Sequence, residues 1–348
     1  MAVHLAASLA VCPRSARAQQ GSAALELTVR TKDGQIPLQS ARLSLQPAGR
    51  QGLSDENGQL RFAGLAAGSY QLRIQRIGYT PFDTVVALGD GERRLVDILL
   101  VHVAVQLVGV RVTAYPPCKK PGVPKPEADL TLSTLLEQLR LNGEQYRYLV
   151  DSMPFVYLVE RTSGNVYGSG ATRTVLVDSA YVGSAKDWKY RAGRIVTSVP
   201  GLLGGRENAM NLPMLDDFAS KEFLTNHCFH YAGLERKDTV TLVRIDFRAA
   251  DRLRSPDVHG TIWLDSTTFS IRRADLELSR LPRTLRSVTG VQVTTYFTEV
   301  LKAVPIMSLV DGVTSIDDRR AADPVVEQTE HHRFLAMYAD TTKRRTRR

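Results

Sequence analysis

Between residues 29 and 79 apolar and polar residues alternate in short runs, and each run ends at a turn that contains glycine. Leu43 and Leu45 form one run, Leu60 and Phe62 a second, and Tyr70, Leu72 and Ile74 a third. A period of two puts every second side chain on the same face of a strand. Each run therefore buries one face only, and the buried faces need a second sheet to cover them. Asp33-Gly34 and Asn57-Gly58 supply the residues that tolerate positive φ in tight turns. The expected result is a small antiparallel β-sandwich.

The string from Val29 through Asp33-Gly34, Pro37, Ser54-Asp55-Glu56-Asn57-Gly58, Gly64, Gly68-Ser-Tyr70 and Ile77-Gly78-Tyr79 resembles the carboxypeptidase regulatory-like domain, a transthyretin-like β-sandwich. The superfamily to which that module belongs also holds carbohydrate-binding sandwiches. Three more strand-like runs, 82–88, 95–101 and 103–113, complete a module over 22–113. Its last strand, Val103 to Val112, resembles the end of modules that precede the plug of TonB-dependent receptors. The resemblance implies a scaffold and names no activity.

The chain has 348 residues, enough for two domains, with 43% hydrophobic and 23% charged residues. Its net charge of +9 is unevenly placed, since Arg14, Arg17, Lys343, Arg344, Arg345, Arg347 and Arg348 all lie near the two ends. The body between them is close to neutral, which argues against a nucleic-acid groove. The tail 341–348 is read as a solvated end with the option of peripheral membrane contact. At the other end, an apolar run followed by Ala16-Arg17-Ala18 has the layout of a signal peptide over 1–18, cleaved after Ala18. The usual basic n-region is missing, consistent with a true start upstream. Leu9-Ala10-Val11-Cys12 is close to a lipoprotein box, which makes lipidation of Cys12 a rival reading. No later run of roughly eighteen apolar residues offers a transmembrane helix. The expectation is export to the periplasm, outer membrane or cell surface.

Five prolines between 116 and 126 block helix and interior strand, so 114–130 reads as a stiff linker. Thr134 and Glu137 then have the spacing of a capping box. Leu135, Leu139, Tyr146, Leu149, Val150 and Met153 recur at helical spacing until Pro154. Gly143 weakens that helix by about 1 kcal/mol. Strand-like runs follow at 155–161, 174–179, 195–199, 240–247, 260–264, 269–278, 291–300, 305–309 and 325–338. The passage Leu242 to Phe247, Gly260-Thr-Ile-Trp-Leu-Asp265 and Phe269-Ser-Ile-Arg-Arg-Ala resembles the lipoprotein-carrier (LolA/LolB-like) half-barrel families. It also resembles a domain that follows regulatory-like modules in Bacteroidetes-type envelope proteins. The expected fold is mainly β: an N-terminal sandwich, then an α+β curled antiparallel sheet with one packed helix over 131–340.

The sequence contains no catalytic set. A zinc carboxypeptidase needs His-x-x-Glu, and none of the seven histidines has that spacing. His227-Cys228-Phe229-His230 is dense in ligand types, but on a strand His227 and His230 point to opposite faces. His331-His332 fails in the same way. Gly168-Ser169-Gly170 lacks the frame of a nucleophile elbow, and 201–205 lacks the Lys-Ser/Thr of a phosphate loop. Asp216-Asp217 and Asp317-Asp318 read as turn and cap residues. No enzyme, cofactor or metal is expected. Trp188 and Tyr190 lie in a polar, glycine-bearing stretch and are candidate ligand-stacking aromatics, with packing at a core edge as the alternative.

The leading expectation is a binding or assembly module for a glycan, peptide or protein partner in the envelope. The alternative is a carrier of lipid or lipoprotein, which needs an open aliphatic cavity in 131–340. A third reading, an accessory of a TonB-dependent uptake system, lacks a visible plug motif. Cys118 and Cys228 are the two cysteines left after cleavage, and export makes them candidates for a disulfide tying linker to second domain.

Overall fold

The computed structural model describes residues 22–105, 107, 117–184, 188–200, 206–282, 285, 287–317 and 322–340. The leader with Cys12 and Ala18, the last part of the 103–113 strand, 201–205, Asp318 and the basic tail lie outside the described residues.

Seven strands build the first unit: β1 (Ala23–Thr31), β2 (Arg42–Gln46), β3 (Arg50–Leu53), β4 (Gln59–Leu65), β5 (Gly68–Gln75), β6 (Phe82–Leu88) and β7 (Arg93–Leu100). They form two sheets, of order β4-β1-β7 and β3-β2-β5-β6; the sandwich is not wholly antiparallel as expected, because β7 returns by a crossover and pairs parallel to β1. The period-two residues face one another between them: Leu25, Leu27 and Val29 from one sheet, Leu43, Leu45, Leu72 and Ile74 from the other. Asn57-Gly58 makes the turn into β4, with Gly58 at φ +73° and the Asp55 carboxylate accepting from the Asn57 and Gln59 N–H groups.

The second unit opens with helix α1 (Leu130–Ser152). The long strands β8 (Phe155–Tyr167) and β9 (Thr172–Gly183) follow, then a small hairpin, β10 (Val196–Pro200) with β11 (Arg206–Met210). Two short helices, α2 (Leu215–Phe218) and α3 (Lys221–Asn226), lead into β12 (His227–Lys237), β13 (Val240–Ala249), β14 (Val258–Asp265) and β15 (Ile271–Leu278). The last strands are β16 (Val288–Leu301), β17 (Val304–Ile316) and β18 (Val325–Ala339). Nine of these form one sheet in the order β12-β13-β14-β15-β16-β17-β18-β8-β9.

Two expectations need correction. The sheet is open, not curled: β12 and β9 are its two edges and do not pair with each other. Curling needs a layer to wrap around, and α1 with α2 and α3 covers only part of the sheet. Neither β9 nor β18 has a buried residue, and the second half of β8 is half-buried throughout. These strands run on past the helical layer. The helix also starts earlier than the Thr134–Glu137 pair implies. Asp129 is the N-cap, its carboxylate accepting from Leu132 N–H at 2.8 Å, while Glu137 is drawn into an ion pair with Arg140.

α1 is buried on more than its leucine stripe. Leu132, Leu135, Leu139, Tyr146 and Leu149 enter the core of the second unit, whereas Met153 is 51% exposed just past the helix end. Gln138, Asn142 and Gln145 are buried as well. Gln138 Oε1 accepts from Gly78 N–H at 2.7 Å, and Gln145 Nε2 donates to Ser40 O at 3.0 Å, both across to the sandwich. Asn142 accepts from Ile271 N–H and donates to Phe269 O, binding the helix to the sheet as a strand neighbour would. Arg42 of the sandwich joins Glu144 of α1 in an ion pair, and His102 Nε2 lies 3.1 Å from Thr267 O. These polar contacts hold the sandwich against α1 and the sheet.

Candidate functional site

Residues 117–129 are a strap laid along the edge strand β12. Gly122 N–H donates to His227 O at 2.9 Å, and Cys118 and Asp251 exchange two hydrogen bonds. Cys118 is bonded to Cys228, with the Cα atoms 5.6 Å apart. The prolines explain the strap's shape: with fixed φ and no N–H to satisfy, the chain stays extended and leaves few donors unpaired. Asp129 then ends the strap by capping α1.

Between strap, β12 and the first turn of α1 lies an open cleft of about 810 Å³. Phe229, Leu132 and Cys228 line it from the side of the core. Pro117, Pro121, Pro124 and the half-exposed Val123 form one wall. Lys119, Lys120, His230, Tyr231, Asp129 and Thr131 supply the polar groups. Burial raises the Tyr231 hydroxyl above its ordinary pKa, so it stays a neutral donor and acceptor. Flat proline and ring surfaces with donors at the rim suit an extended or ring-bearing ligand rich in acceptors.

The two aromatic residues singled out from sequence sit elsewhere. Tyr190 is only 4% exposed, so it presents no ring to a ligand; its hydroxyl donates to Asp257 at 2.9 Å. Trp188 is half-buried and meets Tyr190 edge-on at 6.4 Å, packing against the core. The polar composition of that stretch hid the Asp257 and Asp217 carboxylates that draw Tyr190 inward.

The His227–His230 segment lies on β12 and serves packing. His227 is fully buried, with Nδ1 2.9 Å from Phe223 O, Nε2 3.0 Å from Val258 O, and Asp257 Oδ1 at 3.5 Å. Both ring nitrogens are thus occupied, and the ring stacks on Phe223 at 4.0 Å between centroids. Burial pushes the Asp257 carboxyl up, but hydrogen bonds from His227 and from the Gly193 and Val258 N–H groups outweigh it and hold the pKa below the ordinary value. Cys228 is consumed by the disulfide. His331 Nδ1 lies 2.8 Å from the Asp311 carboxylate, which accepts, on an exposed part of the sheet. Among the described residues no group of three or more His, Cys, Asp or Glu side chains could hold a metal ion.

A carrier would need its apolar cavity on the helix side of the sheet. That space holds Leu135, Leu139, Phe218, Phe223, Ile245, Phe247 and Ile262, each at most 2% exposed. The cleft lies outside this core, and prolines, lysines and rings line it where a carrier would place aliphatic chains. Sequence reasoning missed the cleft: its strap was legible as a proline run, but the strand it lies against is 110 residues away.

Residues 24–101 match the carboxypeptidase regulatory-like domain, a non-catalytic module. No curated protein matches the chain. Among solved structures, GBS52, the minor pilin of Streptococcus agalactiae, is 22% identical over 26% of this chain and 48% of its own, with a TM-score of 0.22. The chain thus spans about half the length of that pilin. A DUF1329 family protein from Desulfovibrio piger is 10% identical over 60% of this chain and 93% of its own, with a TM-score of 0.34. A LolA superfamily protein from Nitrosomonas europaea is 12% identical over 58% of this chain and 93% of its own, with a TM-score of 0.29. At such scores the likenesses carry no argument about activity. Among the described residues no helix is long and apolar enough to cross a membrane.

Proposed function

We propose that this is an exported, non-enzymatic binding module of a Gram-negative-type cell envelope, holding an extended peptide or glycan segment of a partner in the strap cleft. In this reading residues 1–18 are the leader, 22–113 the regulatory-like sandwich, 114–130 the strap region, 131–340 the open-sheet domain and 341–348 a basic tail. The observation that carries it is the contrast between a filled helix-side core and an open cleft of about 810 Å³ built on a strap that a disulfide immobilises. An immobilised strap costs little further ordering when a ligand binds.

A photo-crosslinking residue at Val123, on the cleft wall, tests this beside the same probe at Val85, 64% exposed on the sandwich. Cells expressing each variant are fractionated and irradiated. Envelope adducts from position 123 and none from position 85 are expected. Acyl chains extracted from the purified protein would instead favour the carrier, and full-length protein with its leader retained in the cytosol would end the export reading.

A further inference from the structure

The two edges of the nine-stranded sheet are finished differently. β12 is covered by the strap, through the Gly122 hydrogen bond and the Cys118–Cys228 bond. Among the described residues β9 pairs with β8 alone. It is 12 residues long, about 40 Å of strand, and carries no proline and no lysine to discourage pairing. Val175, Val177 and Tyr181 are 60%, 62% and 69% exposed, and Leu176 is 49% exposed. A long edge with exposed β-branched residues is a template for another strand.

The register of β9 identifies which strand it fits. Asp178 lies opposite Arg161 of β8, and Arg173 lies opposite Asn165. Arg161 and Asn165 are four apart, so they face the same side of the sheet. Arg173 and Asp178 therefore share a face although they are five apart, because the irregularity at Val175 shifts the alternation by one residue. One cation and one anion on a common face are self-complementary. When a second copy is turned about a two-fold axis normal to the sheet, passing between Val175 and Leu176, Arg173 of each copy meets Asp178 of the other. Asp178 already receives Arg161 Nε at 2.9 Å, and its carboxylate retains lone pairs for a second guanidinium.

We propose that the protein forms a two-fold dimer by antiparallel pairing of β9 with β9 of a second copy, joining both nine-stranded sheets into one. The two edges of the joined sheet are then the β12 strands, each under its strap, so growth through this sheet closes at two copies. This surface lies at the opposite edge of the sheet from the cleft, and it stands whether or not the cleft binds a partner.

Sedimentation of the full chain over a wide concentration range tests it, with R173E and D178R measured alone and mixed. The wild type is expected to associate reversibly to a dimer. Each single variant places two like-charge pairs across the axis and should weaken association about tenfold or more. An equimolar mixture should recover a heterodimer, because the acidic replacement at 173 then faces the basic replacement at 178. L176K, at an exposed side chain beside the axis, should be monomeric with an unchanged melting curve, which covers the case in which D178R fails to fold after losing Arg161. A wild type that stays monomeric overturns the proposal, as does a dimer that R173E and L176K leave intact. Two folded single variants that do not associate on mixing overturn the register.

Discussion

Gly143 to alanine sets helix propensity against packing at one atom. In the middle of α1 the change should stabilise the helix by about 1 kcal/mol, because alanine loses less backbone entropy than glycine. The structure reverses the sign. A Cβ built at Gly143 comes 2.5 Å from Ala219 Cβ, 2.7 Å from Leu215 O and 3.3 Å from Asp216 Cα. None of these is the end of a flexible side chain, so the α2 segment has to move away by roughly an ångström. Overpacking of this kind costs about 1–3 kcal/mol. After the propensity gain G143A should be destabilised by up to about 2 kcal/mol. The displaced segment carries Asp217, whose carboxylate accepts from the Tyr190 N–H at 3.0 Å, so the disturbance should reach the Tyr190–Asp257–His227 cluster. Urea unfolding followed by far-UV circular dichroism, with intrinsic fluorescence in parallel, reads both effects. Adding A219G removes the shortest contact but leaves Leu215 O, so the double variant should recover only part of the loss. A G143A protein more stable than wild type would refute the close packing of α2 on α1.

Removing the disulfide in C118S/C228S should lower stability by up to about 5 kcal/mol, the chain-entropy value for a separation of 110 residues, and should speed proteolysis of the strap. Unchanged unfolding curves and unchanged cleavage would count against the strap's role. D257N leaves the buried Tyr190 hydroxyl and the Gly193 and Val258 N–H groups with a weaker, uncharged acceptor and should cost about 1–3 kcal/mol at neutral pH. The Asp257 pKa is held below its ordinary value, so this contribution is present above about pH 4 and is lost as pH falls through the folded-state value. Melting temperatures of wild type and variant should therefore converge only in acid, and convergence near neutrality would contradict the assignment. G58A forces a side chain into φ +73° with its Cβ 2.3 Å from Val29 O, and should melt the sandwich while sparing Asn142-dependent packing of the second unit. Protection of Asn57–Phe62 amides from hydrogen exchange in that variant would show the turn to be less constrained.

The sandwich was legible in the residues because its information is local. The period-two runs and the Asn57-Gly58 turn act within a few residues of themselves, and hairpin geometry sets the β2–β3 and β5–β6 pairs, while the pairing of β1 with β4 and β7 is set by the tertiary fold. The leucine stripe of α1 and the stop at Pro154 were legible for the same reason. Gln138, Asn142 and Gln145 look like solvent residues in the sequence, yet they are buried, because their partners at Gly78, Phe269–Ile271 and Ser40 are distant in the chain. Tyr190 gave the opposite illusion: its polar surroundings suggested exposure, while Asp257, 67 residues on, holds it in the core. The curl expected of the sheet failed on extent, since local alternation gives strands but not how far a helix will cover them. The cysteine pair, the proline run and the Arg173–Asp178 spacing could all be read along the chain. That the strap closes one edge, and that an extra residue at Val175 turns two opposite charges to the same face of the other, only the strand pairing decides, because side-chain direction in a sheet depends on register with the neighbouring strand.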